Sequence, residues 1–458
     1  MLPVRLSPKR IIAFLCTLII FITVGLLTFH ENIPETKFTE GFKSLTDKFD
    51  FSYLSKDQLD THGYVIERGN VQFKFLDNSK KSALNWKSDA KESLKEYTKI
   101  YEEEMARKVD EPKDFDMESI RPPLPENLDT YERANATIIA LVRNNEASHI
   151  GSSIRKFEKS FNGKFKYPYT FLNDRPFTKR FKESMKKYTK APMEFVTIPA
   201  ELWDKPESVD ENKESEAMKI MTNNDVAYAN KQSYHNMCRF YSGNFYNIPE
   251  LAKYKYYWRV EPSVEFYSEL NYDVFKYLAG TKKKYGFALN LYDIHETVAT
   301  LWPETLKWLN EDDNYKYINP NGTFQWLLTD KVHPEATKKS HGYSTCHYWS
   351  NFEIADMDFF RSEPYNEWFK YLDSTGKFYY ERWGDAPVHS MGLALFLDQS
   401  EIHWFKDVGY FHDPYFHCPK SDTNKGDCKV GKFSKWEHLE NQNCMGAWLK
   451  YSKVDSVF

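Results

Sequence analysis

Short apolar runs and polar breaks follow one another along this chain in an order that predicts strands, helices and the turns between them. Ala134 to Val142 (ANATIIALV) is an apolar run of strand type, ended by Arg143-Asn144-Asn145-Glu146. Ile150, Ile154, Phe157 and Phe161 then recur at helical spacing, which predicts a helix over 150–161. Tyr167 to Leu172 predicts a second strand, ending in Asn173-Asp174, and Glu194 to Ile198 a third. Further along, Tyr254 to Val260 predicts a strand with Glu261 at its end, and Phe287 to Tyr292 another. His295 to Asn310 predicts a helix through Val298, Leu301, Trp302, Leu306 and Leu309. Met357 to Leu372 is helical with a break at Pro364, which lacks a donor and crowds the preceding turn. Val388 to Phe396 is a further helix.

Strand–helix–strand alternation predicts an α/β fold, a sheet with helices on its faces. Such sheets bind ligands at the carboxyl ends of their strands. Arg143, Asn144, Asn173 and Asp174 stand at such ends and are candidate nucleotide contacts; ordinary loop polarity is the competing reading. There is no P-loop, no G-x-G-x-x-G fingerprint and no internal repeat.

The N-terminus breaks the globular pattern. Arg5, Lys9 and Arg10 precede an uncharged run from Ile11 to Phe29, about 19 residues and long enough to cross a bilayer as one helix. No small-residue cleavage site follows, so an uncleaved anchor is expected, with the positive side cytosolic. The expected layout is a cytosolic tail (1–10), a transmembrane signal anchor (11–29), a stem (30–125) and one lumenal catalytic domain (126–458). Within the stem, Lys91 to Val109 reads as an exposed, charge-laced helix, and Arg121-Pro122-Pro123-Leu124-Pro125 breaks the chain.

With 458 residues and 41% hydrophobic content the chain can bury a large core, and a net charge of -4 gives no basic footprint for nucleic acid. Of six cysteines, Cys16 lies in the anchor. In an oxidising lumen some of the other five should pair. A bridge between Cys238 and Cys346 is expected, with a second among Cys418, Cys428 and Cys444. Asn135-Ala136-Thr137 and Asn321-Gly322-Thr323 are N-glycosylation sequons, which have meaning only in a lumenal domain.

The stretch from Tyr257 to Pro419 is dense in aromatic residues interrupted by single charges, a composition that suits a sugar site. Glu261, between a strand and Pro262, suits a divalent cation beside a diphosphate, and Mn²⁺ accepts carboxylate and imidazole together. His412 is the candidate second ligand, or a packing histidine. Glu353, among Trp349, Phe352 and Ile354, faces a reacting carbon or is a structural acceptor. Asp385 holds an acceptor hydroxyl or caps the helix after it. Tyr234 and Arg239 offer a ring and a cation to a nucleotide, or are packing and an ion pair.

Taken in order, Ser233–Tyr246, Tyr257–Phe266, His347–Ile354, Glu381–Ser390 and Val408–Pro414 resemble the KTR-type family of yeast Golgi α-1,2-mannosyltransferases. The resemblance spans Ala134 to about Pro419. It implies a GT-A-like fold, a mixed sheet flanked by helices, with GDP-mannose as donor and Mn²⁺ at the diphosphate. It implies transfer of mannose, with retained configuration, to the 2-hydroxyl of an α-mannoside glycan, in a single-pass Golgi membrane protein. Glu261 and His412 match the metal and diphosphate positions, Tyr234 a nucleotide position, Glu353 the proposed nucleophile and Asp385 a carboxylate near the acceptor. Arg143 and Asn173-Asp174 match the nucleotide-side strand ends. Where some members carry a second carboxylate after Glu-Pro, this chain has Ser263. Two alternatives share the sequence features: transfer of mannose-1-phosphate on the same fold, and a catalytically silent mannan-binding Golgi protein.

Overall fold

The computed structural model describes residues 65–68, 71–74, 83–123, 125–311, 314–328 and 332–452. The expected tail, anchor and first part of the stem lie outside them. Among the described residues no helix is long and apolar enough to cross a membrane.

A hairpin of β1 (Val65–Arg68) and β2 (Val71–Lys74) comes first, then helix α1 (Ala83–Met105). The strands that follow are β3 (Ala136–Leu141), β4 (Tyr169–Asn173), β5 (Met193–Thr197), β6 (Tyr256–Arg259), β7 (Glu265–Phe266), β8 (Tyr285–Phe287), β9 (Asn290–Tyr292), β10 (Cys346–Tyr348), β11 (Glu353–Asp356), β12 (Ile402–Trp404), β13 (Tyr410–His412) and β14 (Tyr415–His417). Seven of them form one mixed sheet in the order β12-β8-β11-β6-β3-β4-β5. β3, β4, β5 and β6 run parallel, and β11 lies antiparallel between β6 and β8. β3 is buried over Ala136–Ala140, as the centre of a sheet covered on both faces must be. Side chains alternate between two cores. Ile139, Tyr257 and Ala355 enter one, and Ile138, Trp258 and Ile354 the other.

The first three predicted strands and the one before Glu261 agree with the sheet to within two residues at each end. The run Phe287–Tyr292 is not one strand. β8 belongs to the large sheet, whereas β9 pairs with β10 in a separate ladder. The apolar run is continuous through Ala288 and Leu289, so hydropathy hides the change of sheet. Pro364 does break its helix, into Met357–Phe360 and Glu363–Ser374. The predicted cap role of Asp385 is corrected. Gly384 holds the cap position, and Asp385 opens the helix Asp385–Phe396 with its side chain turned elsewhere.

Helix α1 corrects the expectation of an exposed helix over Lys91 to Val109. Tyr97, Tyr101 and Met105, four residues apart, are buried in the core, so the charged helix carries an apolar seam. It packs on the C-terminal helix Met445–Tyr451, where Gly446 comes so close to the Tyr97 carbonyl that any side chain would collide with it. Lys450–Glu96 and Lys406–Glu104 ion pairs flank the seam.

The disulfides are Cys346–Cys444 and Cys418–Cys428, with Cα separations of 6.1 and 5.4 Å. The expected Cys238–Cys346 bridge is absent: Cys346 is taken by Cys444, and Cys238 is a buried free thiol. The Cys418–Cys428 bridge does fall among the three C-terminal cysteines. Asn135 and Asn321 of the sequons are both exposed.

Candidate active site

A cleft of about 270 Å³ opens at the carboxyl ends of β3, β4 and β6. Three walls follow from where strands stop. Beyond β3 stands Arg143, at the end of β4 Asn173 and just past it Asp174, and beyond β6 Glu261 and Pro262. The fourth wall is the turn and helix at 228–239, which bring Tyr228, Lys231, Ser233 and Tyr234. Arg143 Nη2 donates to Ser233 Oγ at 3.1 Å and so ties one strand end to that helix. Tyr234 is sandwiched. The Tyr228 ring stacks on it at 4.7 Å and 9°, and the Arg382 guanidinium lies 5.2 Å from its centroid. Burial pushes the Tyr234 hydroxyl well above the usual tyrosine value, so it stays a proton donor.

Tyr257, Arg259 and Glu261 alternate onto one face of the β6 line. Arg259, almost fully buried, therefore becomes the hub between the cleft and the interior. It holds Glu261 Oε1 through Nε at 2.8 Å, reaches Asp385 Oδ2 at 2.5 Å and lies 3.7 Å over the Tyr241 ring. Ser350 Oγ donates to the same Asp385 oxygen at 2.7 Å. Burial pushes the Asp385 carboxyl up, but Arg259 and His389 outweigh it and hold the group below its ordinary value. Asp385 is thus a buried counter-ion in this arrangement and does not line the cleft.

With Oε1 held by Arg259, Glu261 presents Oε2 to His412 Nε2, 3.8 Å away. Both side chains are partly open, at 24% and 28% exposure. His412 Nδ1 lies 3.2 Å from the Asp413 carbonyl; donation there leaves Nε2 as a lone pair. Trp349 packs edge-on against the imidazole at 5.2 Å. Among the described residues no group of three or more His, Cys, Asp or Glu is placed to hold a metal. One carboxylate oxygen and one imidazole nitrogen nonetheless suit a divalent cation such as Mn²⁺ that draws its other ligands from a diphosphate and water. Ser263 does not join them. Its backbone is left-handed (φ 66°), and its hydroxyl meets His149 Nδ1 at 3.1 Å.

Besides Asp385, two expected site residues stand outside the cleft. Glu353 is fully buried and receives the Tyr257 hydroxyl, the Tyr285 hydroxyl at 3.0 Å and His389 Nδ1 at 2.7 Å. It does not line the cleft. Arg239 forms a two-pronged pair with Asp373 at 2.6 and 2.8 Å and is likewise outside the cleft. Sequence reasoning passed over Tyr228, Lys231, Ser233 and the hub Arg259. The alternation Tyr257–Arg259–Glu261 was the signal that could have identified the last of these.

Residues 91–453 match the family described as glycolipid 2-alpha-mannosyltransferase. The chain is 41% identical to "Probable mannosyltransferase KTR4" of Saccharomyces cerevisiae, across 98% of each chain. It is 42% identical to alpha-1,2 mannosyltransferase KTR1 of the same yeast, over 67% of this chain and 77% of that one. The crystal structure of the S. cerevisiae mannosyltransferase Ktr4p with GDP superposes with a TM-score of 0.77 at 43% identity, covering 89% of this chain and 98% of that one. Core-mannan synthase A of Aspergillus fumigatus, in an Mn/GDP form, gives 0.73 at 42% identity, covering 76% and 93%. A cleft at the carboxyl ends of a mixed sheet and this degree of likeness lead to one conclusion: the chain belongs to the glycolipid 2-alpha-mannosyltransferase family and is a glycosyltransferase.

Proposed function

We propose that the cleft binds GDP-mannose and that the protein moves mannose, with retention, to the 2-hydroxyl of α-mannosides, lengthening protein-linked glycans and cell-wall mannan. The observation that carries this reading is the half-open Glu261–His412 pair at the mouth of a cleft built from strand ends. Relatives of the same fold hold GDP, one of them with Mn. Arg143 and Lys231 offer cationic charge to the diphosphate, while Asn173 and Asp174 offer acceptors to the nucleoside. Glu261 Oε2 and His412 Nε2 would hold Mn²⁺, which neutralises the charge that develops on departing GDP.

Arg259 fixes the Glu261 carboxylate by one oxygen, so that the other faces His412 without a rotamer search. The protonated Tyr234 is placed to donate a hydrogen bond into the cleft. Because Glu353 is committed to three donors, the geometry favours attack by the acceptor from the face that GDP leaves. The C1–O bond to diphosphate breaks while the new C1–O bond forms on the same side, and the acceptor proton passes to the leaving phosphate oxygen. A covalent mannosyl–Glu353 intermediate would need that carboxylate to move out of its hydrogen bonds.

The basic residues before the apolar run 11–29, together with the two disulfides, support a single-pass Golgi membrane protein with its catalytic part in the lumen. The test is incubation of the protein with GDP-mannose, Mn²⁺ and methyl α-mannoside. An α-1,2-linked disaccharide and GDP are expected. Release of GMP with an acid-labile phosphodiester would instead establish mannosylphosphate transfer, the reading that the Glu-Pro-Ser departure keeps in play. Any soluble fragment must keep the part of α1 that carries Tyr97, Tyr101 and Met105, because those side chains are in the core.

A further inference from the structure

We infer that His149 and Ser263 are positioning residues for the metal ligands: their hydrogen bond holds the backbone turn that presents Glu261 to His412. The inference rests on the reading of Glu261 and His412 as the ligands of Mn²⁺ and deepens it, from the two ligands to what spaces them. Arg259 holds the Glu261 side chain, but a carboxylate is placed only as well as the backbone that carries it.

The helix Ala147–Phe157 supplies the hold. His149, Ser153 and Lys156 recur at helical spacing and so lie on one face. They clasp three consecutive residues just past Glu261-Pro262. His149 Nδ1 and Ser263 Oγ share a hydrogen bond at 3.1 Å, Ser153 Oγ accepts the Val264 N–H at 3.1 Å, and the Lys156 ammonium pairs with Glu265 at 2.5 Å. Glu265 belongs to β7 and stands directly across from Phe411 of β13, the neighbour of His412. Both metal-side residues therefore hang from the clasped segment. Glu261 precedes it in the chain, and His412 ends the strand that is hydrogen-bonded to it. The same helix follows directly on Arg143 and Glu146 of the cleft wall, so it ties the metal side to the end of β3.

The first clasp is the one nearest Glu261, and it closes a strained turn. Ser263 is left-handed (φ 66°), a conformation disfavoured for any residue that carries a Cβ. The bond to His149 opposes relaxation of that turn toward extended backbone, which would swing Glu261 from its 3.8 Å approach to His412. The other two clasps act beyond the turn, on Val264 and Glu265.

The test is Mn²⁺ binding to the full chain in the presence of GDP, read without turnover from the electron paramagnetic resonance signal of free Mn²⁺. His149→Ala and Ser263→Ala are each expected to weaken Mn²⁺ binding about threefold to fivefold, the worth of one hydrogen bond, and the double variant no more than either alone. His149→Asn should recover most of the loss, because its amide reaches the place of Nδ1. Lys156→Ala removes a clasp of the same helix beyond the turn, and it should leave Mn²⁺ affinity within about twofold of wild type. Wild-type affinity in both single variants, additive losses in the double variant, or an equal loss in Lys156→Ala would overturn the positioning role while leaving Glu261 and His412 as ligands. Glu261→Gln separates that outcome from failure of the underlying reading. If it binds Mn²⁺ as tightly as wild type, or if wild type with GDP binds none, the ligand pair itself falls.

Discussion

Two glutamate–histidine pairs lie on either side of Arg259, and they differ in almost every physical respect. Glu261 and His412 stand 3.8 Å apart, partly open, with one carboxylate oxygen uncommitted. Glu353 and His389 touch at 2.7 Å, both at zero exposure, and two tyrosine hydroxyls complete the carboxylate's hydrogen bonds. Arg259 sits directly across from Glu353 in the sheet and grips Glu261 from its own strand. The same residue types thus stand as a half-open pair where the strand has ended and as a closed polar knot where it has not. Residue identity does not distinguish them; the position of the strand terminus does.

The comparison can be broken at its open end first. Glu261→Gln should lower turnover about a thousandfold, as expected when a main charge partner of the leaving group's cation is lost. Chelation of Mn²⁺ from the wild type should match it and be reversed by added metal, whereas the variant should not recover. Normal turnover in Glu261→Gln would remove the pair from the chemistry.

The closed end should fail differently. Glu353→Gln keeps the shape but leaves a buried imidazole and two hydroxyls facing an amide, a loss of about 2–3 kcal/mol. Thermal denaturation should report a lower Tm, with activity lost in proportion to the folded fraction. An inactive variant with an unchanged Tm would return Glu353 to the reaction as a nucleophile. His412→Ala should raise the Mn²⁺ concentration for half-maximal activity about tenfold or more, with little change in Tm, measured by metal titration of initial rates.

A pH dependence sharpens the contrast with another buried carboxylate. Asp407 has one donor, the Tyr272 hydroxyl at 2.8 Å, and its other oxygen has no partner. Burial pushes its pKa from 3.8 up to about 7. The folded chain then binds this proton more tightly than the unfolded one. Stability should fall as pH rises between about 4 and 7, by about 1 kcal/mol per pH unit, and be level above. Asp407→Asn should flatten that slope in denaturant melts. A slope unchanged by the substitution would show that Asp407 is not its source.

Much of the lining of this cleft was legible because its residues stand where apolar runs stop. Arg143, Asn173, Asp174 and Glu261 each follow a strand whose end hydropathy marks within two residues. The aromatic stretch misled for a physical reason. Trp258, Trp383, Tyr257 and Tyr348 are buried core, and a ring lining a cavity has the same composition as a ring filling one. Glu353 was therefore expected beside a substrate and proved to be enclosed. Cys238 was assigned to a bridge because sequence cannot say which pairs meet. In α1 the seam of Tyr97, Tyr101 and Met105 was masked by the charges around it, so a core helix was read as an exposed one.

The clasp between α1 and the C-terminal helix also has a consequence in time. A ribosome makes α1 long before it makes Met445–Tyr451. Until that later helix emerges, the apolar seam lacks the partner it packs on, as transiently exposed hydrophobic surface of the kind that chaperones bind. A chain cut short before Met445 should keep that part of the seam uncovered.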